Sequence, residues 1–180
     1  MLSLDRGVYF NGTSSHIVSA NKLNYIGSID AFLRHTDVTK TRSILISSDE
    51  SVEFVYMFIT TSGNLEAMIK TTNITNGNTN LITIISSGDP SNTLTTDLWV
   101  HVALGWTYNG FDTTIQLFKN GISIKAEASV DSIVEDNSSS GGYIGKKSNA
   151  EDTLFLGFMY EFAISNYLPD FTEMSTDSCS

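Results

Sequence analysis

The side chains able to do acid-base or metal chemistry are few in this sequence, and they show no recognised catalytic spacing. The histidines are His16, His35 and His101, and none has the H-E-x-x-H spacing that brings two imidazoles of a helix to one metal ion. No G-x-S-x-G elbow presents a serine nucleophile. The single cysteine, Cys179, excludes an internal disulfide framework and a multi-cysteine zinc site. These residue types therefore predict neither a serine hydrolase nor a zinc enzyme.

Aromatic side chains offer a second kind of chemistry, because the flat face of Trp or Tyr can stack on the C–H face of a sugar ring. Trp106 and Tyr108 end a strand-like run just before Asn109 and Gly110, so both are expected near the rim of a sheet. Tyr108, Trp106 and Asn109 are therefore our candidate ligand contacts. Burial in the core is the alternative for Trp106, because it shares its parity on the strand with three apolar residues. These are Val100, Val102 and Leu104.

The elements that must position these residues are short strands, because runs rich in Val, Ile, Thr, Phe and Tyr alternate with clusters of Gly, Asn, Asp and Ser. No window of 12 or more residues holds a helical apolar stripe, and the segment 125–136 is expected to form at most a short turn. The pattern predicts an all-β fold. The predicted strands are 4–10, 14–19, 28–35, 42–47, 52–60, 65–71, 80–86, 99–107, 112–119, 121–127, 142–146 and 154–165.

Local signals specify turns and the two faces of some strands. Asn120-Gly121 lies between two strand-like runs and predicts a type I′ hairpin turn, in which both central residues have positive φ. Further turns are expected at 62–64, 76–78 and 109–110. The run 52–60 is apolar on both faces, whereas 65–70 alternates apolar and polar residues. A two-layer sandwich accommodates both kinds of strand.

Composition and charge narrow the class of protein. The 180 residues include 20 Asp and Glu against 10 Lys and Arg, for a formal net charge of -10, which argues against a nucleic-acid binder. The 24 Ser, 20 Thr and 14 Asn supply most of the polarity, and no apolar run is long enough to cross a bilayer. We expect one sandwich domain over 4–168 and a loose tail or linker over 169–180, where the composition shifts to Ser, Thr and acidic residues.

Five segments, in the right order, resemble the motifs of laminin G-like and pentraxin-like domains. The strand 98–104, Leu-Trp-Val-His-Val-Ala-Leu, resembles the family's W-x-H-V-A strand, and 115–121 resembles its v-x-l-Y-v-N/D-G hairpin. The segments 142–145 and 158–166 resemble l-x-I-G and G-x-I-D-E-V-R-I-Y-N, and 8–17 resembles the opening strand pair. The resemblance covers about 4–168 and implies a two-sheet antiparallel sandwich, the concanavalin A-like jelly roll.

The resemblance also assigns roles to single residues. It makes Trp99 a large apolar anchor between the sheets and His101 a packed, hydrogen-bonded strand histidine. Glucanases of this superfamily carry two carboxylates as E-x-D-x-x-E on one strand, and no Glu here opens that spacing. The resemblance thus favours a protein that is not an enzyme.

Calcium is the cofactor that the resemblance suggests, because related domains often bind it. The family's acidic position in the I-D-E-V segment is Tyr160 here, so one expected ligand is missing. Another carboxylate would fall at Asp49, Glu50 or Glu53, and oxygen ligands clustered on a loop suit calcium. These three residues are therefore the candidate metal ligands, with a solvated turn as the alternative.

Three asparagines, Asn11, Asn73 and Asn137, lie in N-glycosylation sequons. Chance alone accounts for this number, given the abundance of Ser and Thr. The sequons therefore permit a glycoprotein without indicating one.

Together these observations predict a non-catalytic recognition module of the cell surface or extracellular space that binds a glycan or glycoprotein. The alternative is a structural building block of a surface or filament assembly, in which copies or neighbouring modules pack through sheet faces or exposed edge strands. Neither function requires nucleic acid or membrane insertion.

Overall fold

The computed structural model describes residues 7–19, 27–47, 55–73, 75–129, 132–133, 142–146 and 154–171. Within these ranges the protein is built from thirteen strands and one short 3₁₀ turn, Pro90–Asn92. None of the described segments forms a helix long and apolar enough to cross a membrane. The strands are β1 Val8–Asn11, β2 Ile17–Ser19, β3 Gly27–His35, β4 Arg42–Ser47, β5 Val55–Ile59, β6 Leu65–Thr72, β7 Thr79–Ile85, β8 Val100–Tyr108, β9 Thr113–Lys119, β10 Ile122–Ser129, β11 Ser132–Ile133, β12 Gly142–Ile144 and β13 Leu156–Ser165.

The strands form two antiparallel sheets. The six-stranded sheet has the order β1-β13-β3-β8-β9-β10, and the seven-stranded sheet has the order β11-β6-β5-β4-β12-β2, with β7 also paired to β6. Strands distant in sequence are thus neighbours, as β3 lies between β13 and β8. The all-β sandwich predicted from the sequence is confirmed.

The predicted turns form with the expected backbone. Asn120 and Gly121 have φ of 50° and 78°, as a type I′ turn between β9 and β10 requires. The loop before β6 closes through a hydrogen bond from Thr60 N to Asn64 O of 2.9 Å. Two glycines with positive φ, Gly77 and Gly110, lie at the other predicted turns.

The core lies between the sheets and is filled by alternate residues of each strand. Along β8 the core-facing residues are Trp106 and every second residue before it. Trp106 itself is 1% exposed. The strand β5 is buried on both faces, from Val55 to Ile59, as its apolar sequence predicts, while β6 alternates between buried and partly exposed residues.

A bulge in β13 changes which residues face the core. The pairing of β13 with β3 shifts register between Tyr160 and Ala163, and Glu161 has φ of 49°. Met159 and Phe162 are both fully buried, although an unbroken strand would place them on opposite faces. Because of the bulge, β13 contributes core side chains from the residues before it and from those after it.

Two expectations about the chain beyond β9 need correction. The strand β10 continues to Ser129, and Ser132–Ile133 pairs with β6, so part of 125–136 is strand rather than a short turn. The domain boundary expected at 168 is too early. Phe171 is 2% exposed and its ring packs against Phe118 and His101, because it covers apolar surface on the outer face of the six-stranded sheet. The rest of the predicted tail, 172–180, lies outside the described residues.

Candidate ligand-binding site

The rim predicted as the binding site is formed by the end of β8 and the turn after it. Trp106 is 1% exposed and belongs to the main core, so it offers no face to a ligand and its assignment as a ligand contact is wrong. A Cβ on Gly27 would lie 2.4 Å from Trp106 Cζ2, because the indole packs directly against the backbone of β3. The buried role, left open as the alternative, is the one that the structure has.

Tyr108 and Asn109 both have partners within the rim. Tyr108 packs partly against the core, and its hydroxyl donates to Gly110 O at 2.9 Å. The Oδ1 atom of Asn109 accepts hydrogen bonds from Phe111 N at 2.9 Å and Asp112 N at 2.8 Å. These contacts hold the turn in shape and leave Phe111 at its tip 74% exposed. A ligand-binding role for Tyr108 and Asn109 stays a prediction.

The candidate metal ligands Asp49, Glu50 and Glu53 lie outside the described residues. In the part of the chain that is described, no group of three or more His, Cys, Asp and Glu side chains is placed to hold a metal ion. Calcium binding therefore stays a prediction.

Two of the three sequon asparagines are described, and both shape turns. The Oδ1 atom of Asn11 accepts hydrogen bonds from the backbone N–H groups of Thr13, Ser14 and Ser15 at 2.9 to 3.0 Å. Asn73 Oδ1 accepts in the same way from the loop that follows it. Asn137 lies outside the described residues, and glycosylation of all three stays a prediction.

The outer face of the six-stranded sheet carries four side chains in a line across β1, β13, β3 and the residue before β8. They are Tyr9, Phe158, Arg34 and Trp99, which we call the aromatic row. Strand register produces the line, since Tyr9 pairs with Phe158, Phe158 pairs with Arg34, and Leu33 pairs with Val100. At about 4.8 Å between neighbouring strands, the row spans about 14 Å.

Close ring contacts hold the row together. The ring centroids of Tyr9 and Phe158 are 4.9 Å apart, and those of Trp99 and Phe158 are 6.5 Å apart. The guanidinium carbon of Arg34 lies 4.8 Å from the Phe158 centroid and 5.8 Å from the Trp99 centroid. Tyr9, at one end, is 52% exposed. The row thus offers a tyrosine face, a held guanidinium and part of an indole to a ligand.

Trp99 therefore departs from the role that the resemblance implied. It lies on the outer face beside Arg34 and is only partly buried, so it is not an anchor between the sheets. The reason is strand alternation, because Val100 faces the core and its neighbour must face outward.

The row carries the positive charge of Arg34, which has no counter-ion among the described residues. The side chain of Arg34 makes no ion pair or hydrogen bond with any described part of the chain, and its Nε atom is buried without a partner. Its two terminal nitrogens are not among the buried unpaired atoms, so they reach the surface. The row can therefore stack on apolar ring faces and donate hydrogen bonds to an acceptor.

His101 is packed on the outer face of the same sheet but away from solvent. It is fully buried, and its ring lies 4.9 Å from Phe32 and 5.9 Å from Phe171. The packing expected of His101 is therefore present. The expected side-chain hydrogen bond is absent, because neither ring nitrogen has a hydrogen-bond partner among the described residues and the nearest carboxylate oxygen there, Asp30 Oδ1, is 3.7 Å from Nε2. No substrate could reach this imidazole while Phe171 covers it.

The outer face of the seven-stranded sheet is more closed where it is described. Tyr56 and Phe58 form a second apolar cluster with Met68, and they are only 5% and 8% exposed. Glu66 pairs with Phe58 across the strands, and partial burial raises the pKa of its carboxyl. The rings of this cluster therefore offer little area to a ligand.

Sequence reasoning missed the aromatic row because its members come from residues 9, 34, 99 and 158, which only the sheet order brings together. One local signal was available. Trp99 has the opposite parity from the apolar residues of β8, so alternation already places it outside if Trp106 is inside.

Comparison with known families and structures agrees with this architecture. The Laminin G 3 family model, of the concanavalin A-like lectin/glucanases superfamily, matches residues 10–171. The chain belongs to this family, as its motifs indicated. No curated protein sequence matches the chain.

Solved structures show the same fold at low sequence identity. The CBM40 domain of the IT-sialidase of Ruminococcus gnavus is 13% identical, with a TM-score of 0.70 over 97% of this chain and 99% of that domain. A heptameric SAP-like pentraxin from Limulus polyphemus is 14% identical, with a TM-score of 0.62 over 94% of this chain and 80% of that one. Domain 4 of an extracellular arabinanase from Geobacillus stearothermophilus, in complex with arabinotriose, is 17% identical, with a TM-score of 0.62 over 97% and 80%.

Proposed function

We propose that this protein is a non-catalytic carbohydrate-binding module that acts outside the cell or at its surface, and that it binds its glycan on the aromatic row. The observation that carries the proposal is the alignment of three aromatic rings and one guanidinium across adjacent strands of one sheet face. Aromatic rings supply flat apolar area for sugar C–H faces, and the guanidinium supplies hydrogen-bond donors.

The comparisons support the ligand class. Structures with this fold include one with sialyllactose bound to CBM40 and one with arabinotriose bound to an arabinanase domain. The length of the row, about 14 Å from the strand spacing, suits an oligosaccharide rather than a single sugar ring.

The row is a better candidate for the binding site than the rim. Trp106 is buried, and the polar groups of Tyr108 and Asn109 already serve the turn. The two sites lie at opposite ends of the sheet, since Val100 and Tyr108 are eight strand steps apart, or about 27 Å. Mutations can therefore separate them.

The test is a glycan array and calorimetry with the native protein and three variants. Tyr9→Ala combined with Trp99→Ala should lose most of the binding, because it removes the aromatic rings at the two ends of the row. Tyr108→Ala tests the rim, and Tyr167→Ala is the matched control, because Tyr167 is an aromatic residue outside the row and is 58% exposed. If the double variant binds the glycan as tightly as the native protein does, the binding site is not on the row. Failure of the native protein to bind any glycan, with and without calcium, would overturn the proposed function.

The predicted calcium site at Asp49, Glu50 and Glu53 forms a separate part of the proposal. A ligand that binds only the native state raises the melting temperature, so melting in EDTA and then in excess calcium tests it directly. An upward shift that Asp49→Asn removes would support the site, and an unchanged melting temperature would overturn it.

The alternative, a building block that assembles through its strand edges, has less support. The strand β10 ends the six-stranded sheet, and its Lys125 and Glu127 pair with each other at 3.1 Å. By register they share the face of Leu117 and Ile115, which is the core side. Both side chains remain nearly half exposed at this edge, and charged residues on an edge strand hinder its pairing with another sheet. Light scattering that showed concentration-dependent assembly would favour the alternative.

A further inference from the structure

We infer that the aromatic row selects acidic oligosaccharides, and that Arg34 binds the carboxylate of a sugar acid through its two terminal nitrogens. This inference rests on the proposed function and names the ligand class of the same site. The observation behind it is that Arg34 has no carboxylate partner among the described residues, in a protein whose acidic residues outnumber its basic ones by 20 to 10.

Three other basic side chains of the described chain are engaged where Arg34 is not. Arg42 pairs with Asp37 and donates to Leu154 O at 2.9 Å. Lys119 donates to two backbone carbonyls, and Lys125 pairs with Glu127. The guanidinium of Arg34 instead lies over the rings of Phe158 and Trp99 and makes no ion pair with the described residues. Its charge therefore remains available to an anion from solution.

The rings fix the guanidinium in a way that suits a planar anion. Phe158 and Trp99 lie within 4.8 and 5.8 Å of its central carbon, so the group is held before a ligand arrives. A held guanidinium loses less conformational entropy on binding than a free one. Its Nε atom is buried, which leaves the terminal pair as the free edge, and that edge matches the two oxygens of a carboxylate.

The neighbouring tyrosine completes a two-part site. Tyr9 is 52% exposed and touches Phe158 on the side away from Trp99. A sugar acid with its carboxylate on Arg34 would place the next ring of the oligosaccharide along the row. The charge of Arg34 would then select acidic over neutral sugars, and stacking on the rings would bind acidic and neutral sugars alike.

The experiment measures affinity for matched pairs of acidic and neutral sugars by calorimetry. One pair is 3′-sialyllactose and lactose, and the other is an oligogalacturonide and its methyl ester, which is uncharged. The two pairs separate a sialic acid from a uronic acid as the source of the carboxylate. We expect the native protein to bind the acidic member of at least one pair tighter by about tenfold or more, and the difference to shrink at high salt.

Variants of Arg34 test the assignment. Arg34→Gln should abolish the acidic preference while leaving the weaker binding of neutral sugars, and Arg34→Lys should restore only part of it, because an ammonium lacks the planar fork. Lys125→Gln makes the same change in net charge on an exposed residue outside the row and should leave the preference intact. Melting curves of each variant establish that it is folded.

The outcomes separate this inference from the proposed function. Equal binding of acidic and neutral sugars, or a preference that survives Arg34→Gln, would overturn the role of Arg34 and leave the carbohydrate-binding module standing. Binding of no sugar at all would overturn both. Loss of the preference in Arg34→Gln but not in Lys125→Gln would support the inference.

Discussion

The two tryptophans of this protein lie seven residues apart, Trp99 just before β8 and Trp106 near its other end, and they have opposite surroundings. Trp106 is 1% exposed and packs against the backbone of Gly27 in the core. Trp99 lies on the outer face, partly exposed beside Arg34. The same residue type therefore stabilises the sandwich at one position and offers a binding surface at the other. Only the face of the strand decides which role it has.

Replacing each tryptophan by alanine should give the largest contrast. Trp106→Ala leaves a cavity in a packed core and should lower the free energy of unfolding by about 3–5 kcal/mol. Trp99→Ala removes ring contacts with Arg34 and Phe158 at a partly exposed site and should cost only about 1 kcal/mol. Urea denaturation measures both. If Trp106→Ala does not fold, Trp106→Phe should still destabilise more than Trp99→Phe, and the reverse order would contradict the assignment.

Gly27 tests the tight packing of Trp106 without changing the ring. A Cβ at this position would meet Trp106 Cζ2 at 2.4 Å and Ser165 O at 2.9 Å, so Gly27→Ala should destabilise by about 1–3 kcal/mol. Gly7 is the matched control, because its Cβ would approach nothing closer than Met159 O at 3.7 Å. Thermal melting that showed equal effects for Gly27→Ala and Gly7→Ala would show that the indole is not held as described.

The Trp99 end of the sheet should also show the smaller, pH-dependent effect. His35 follows Arg34 in β3 and is fully buried, and burial lowers the pKa of its imidazole below the ordinary value of 6.5, although the charges of Asp97 and Asp37 oppose this. The unfolded chain therefore takes up the proton more readily than the folded one. The contribution of neutral His35 to the free energy of unfolding is complete above pH 6.5. It decreases as the pH falls below 6.5, by at most about 1.4 kcal/mol per pH unit for one proton.

Urea midpoints across the pH unit below 6.5 measure this loss. His35→Gln should flatten the pH dependence over that range, and His16→Gln, a substitution at an exposed position, is the matched control. A native protein whose midpoint does not fall with acid would contradict the role of His35.

Local patterns predicted most of the fold. The type I′ turn at Asn120-Gly121 and the doubly buried β5 were both clear, because Asn-Gly favours positive φ and an apolar run on both faces has no other place in a sandwich. The two-residue β11 was too short to leave a signal. Phe171 stands in a polar tail, so its contact with Phe118 could not be predicted from neighbouring residues.

The candidate site was harder to predict than the fold because it depends on contacts between distant segments. The row joins Tyr9, Arg34, Trp99 and Phe158, and nothing near any one of them in sequence indicates the other three. The resemblance also assigned Trp99 to the core, although the alternation along β8 argued for Trp106 there. Where a motif and strand parity disagreed, parity gave the correct face.

The most direct test of the account is an NMR titration that follows the two indole N–H signals, assigned with Trp99→Phe and Trp106→Phe. The probes are 3′-sialyllactose, lactose and the glycan bound most tightly on the array. We expect the Trp99 signal to shift with saturation while the Trp106 signal stays in place. Binding that leaves the Trp99 signal unmoved, or that shifts only signals at the Tyr108 rim, would contradict it.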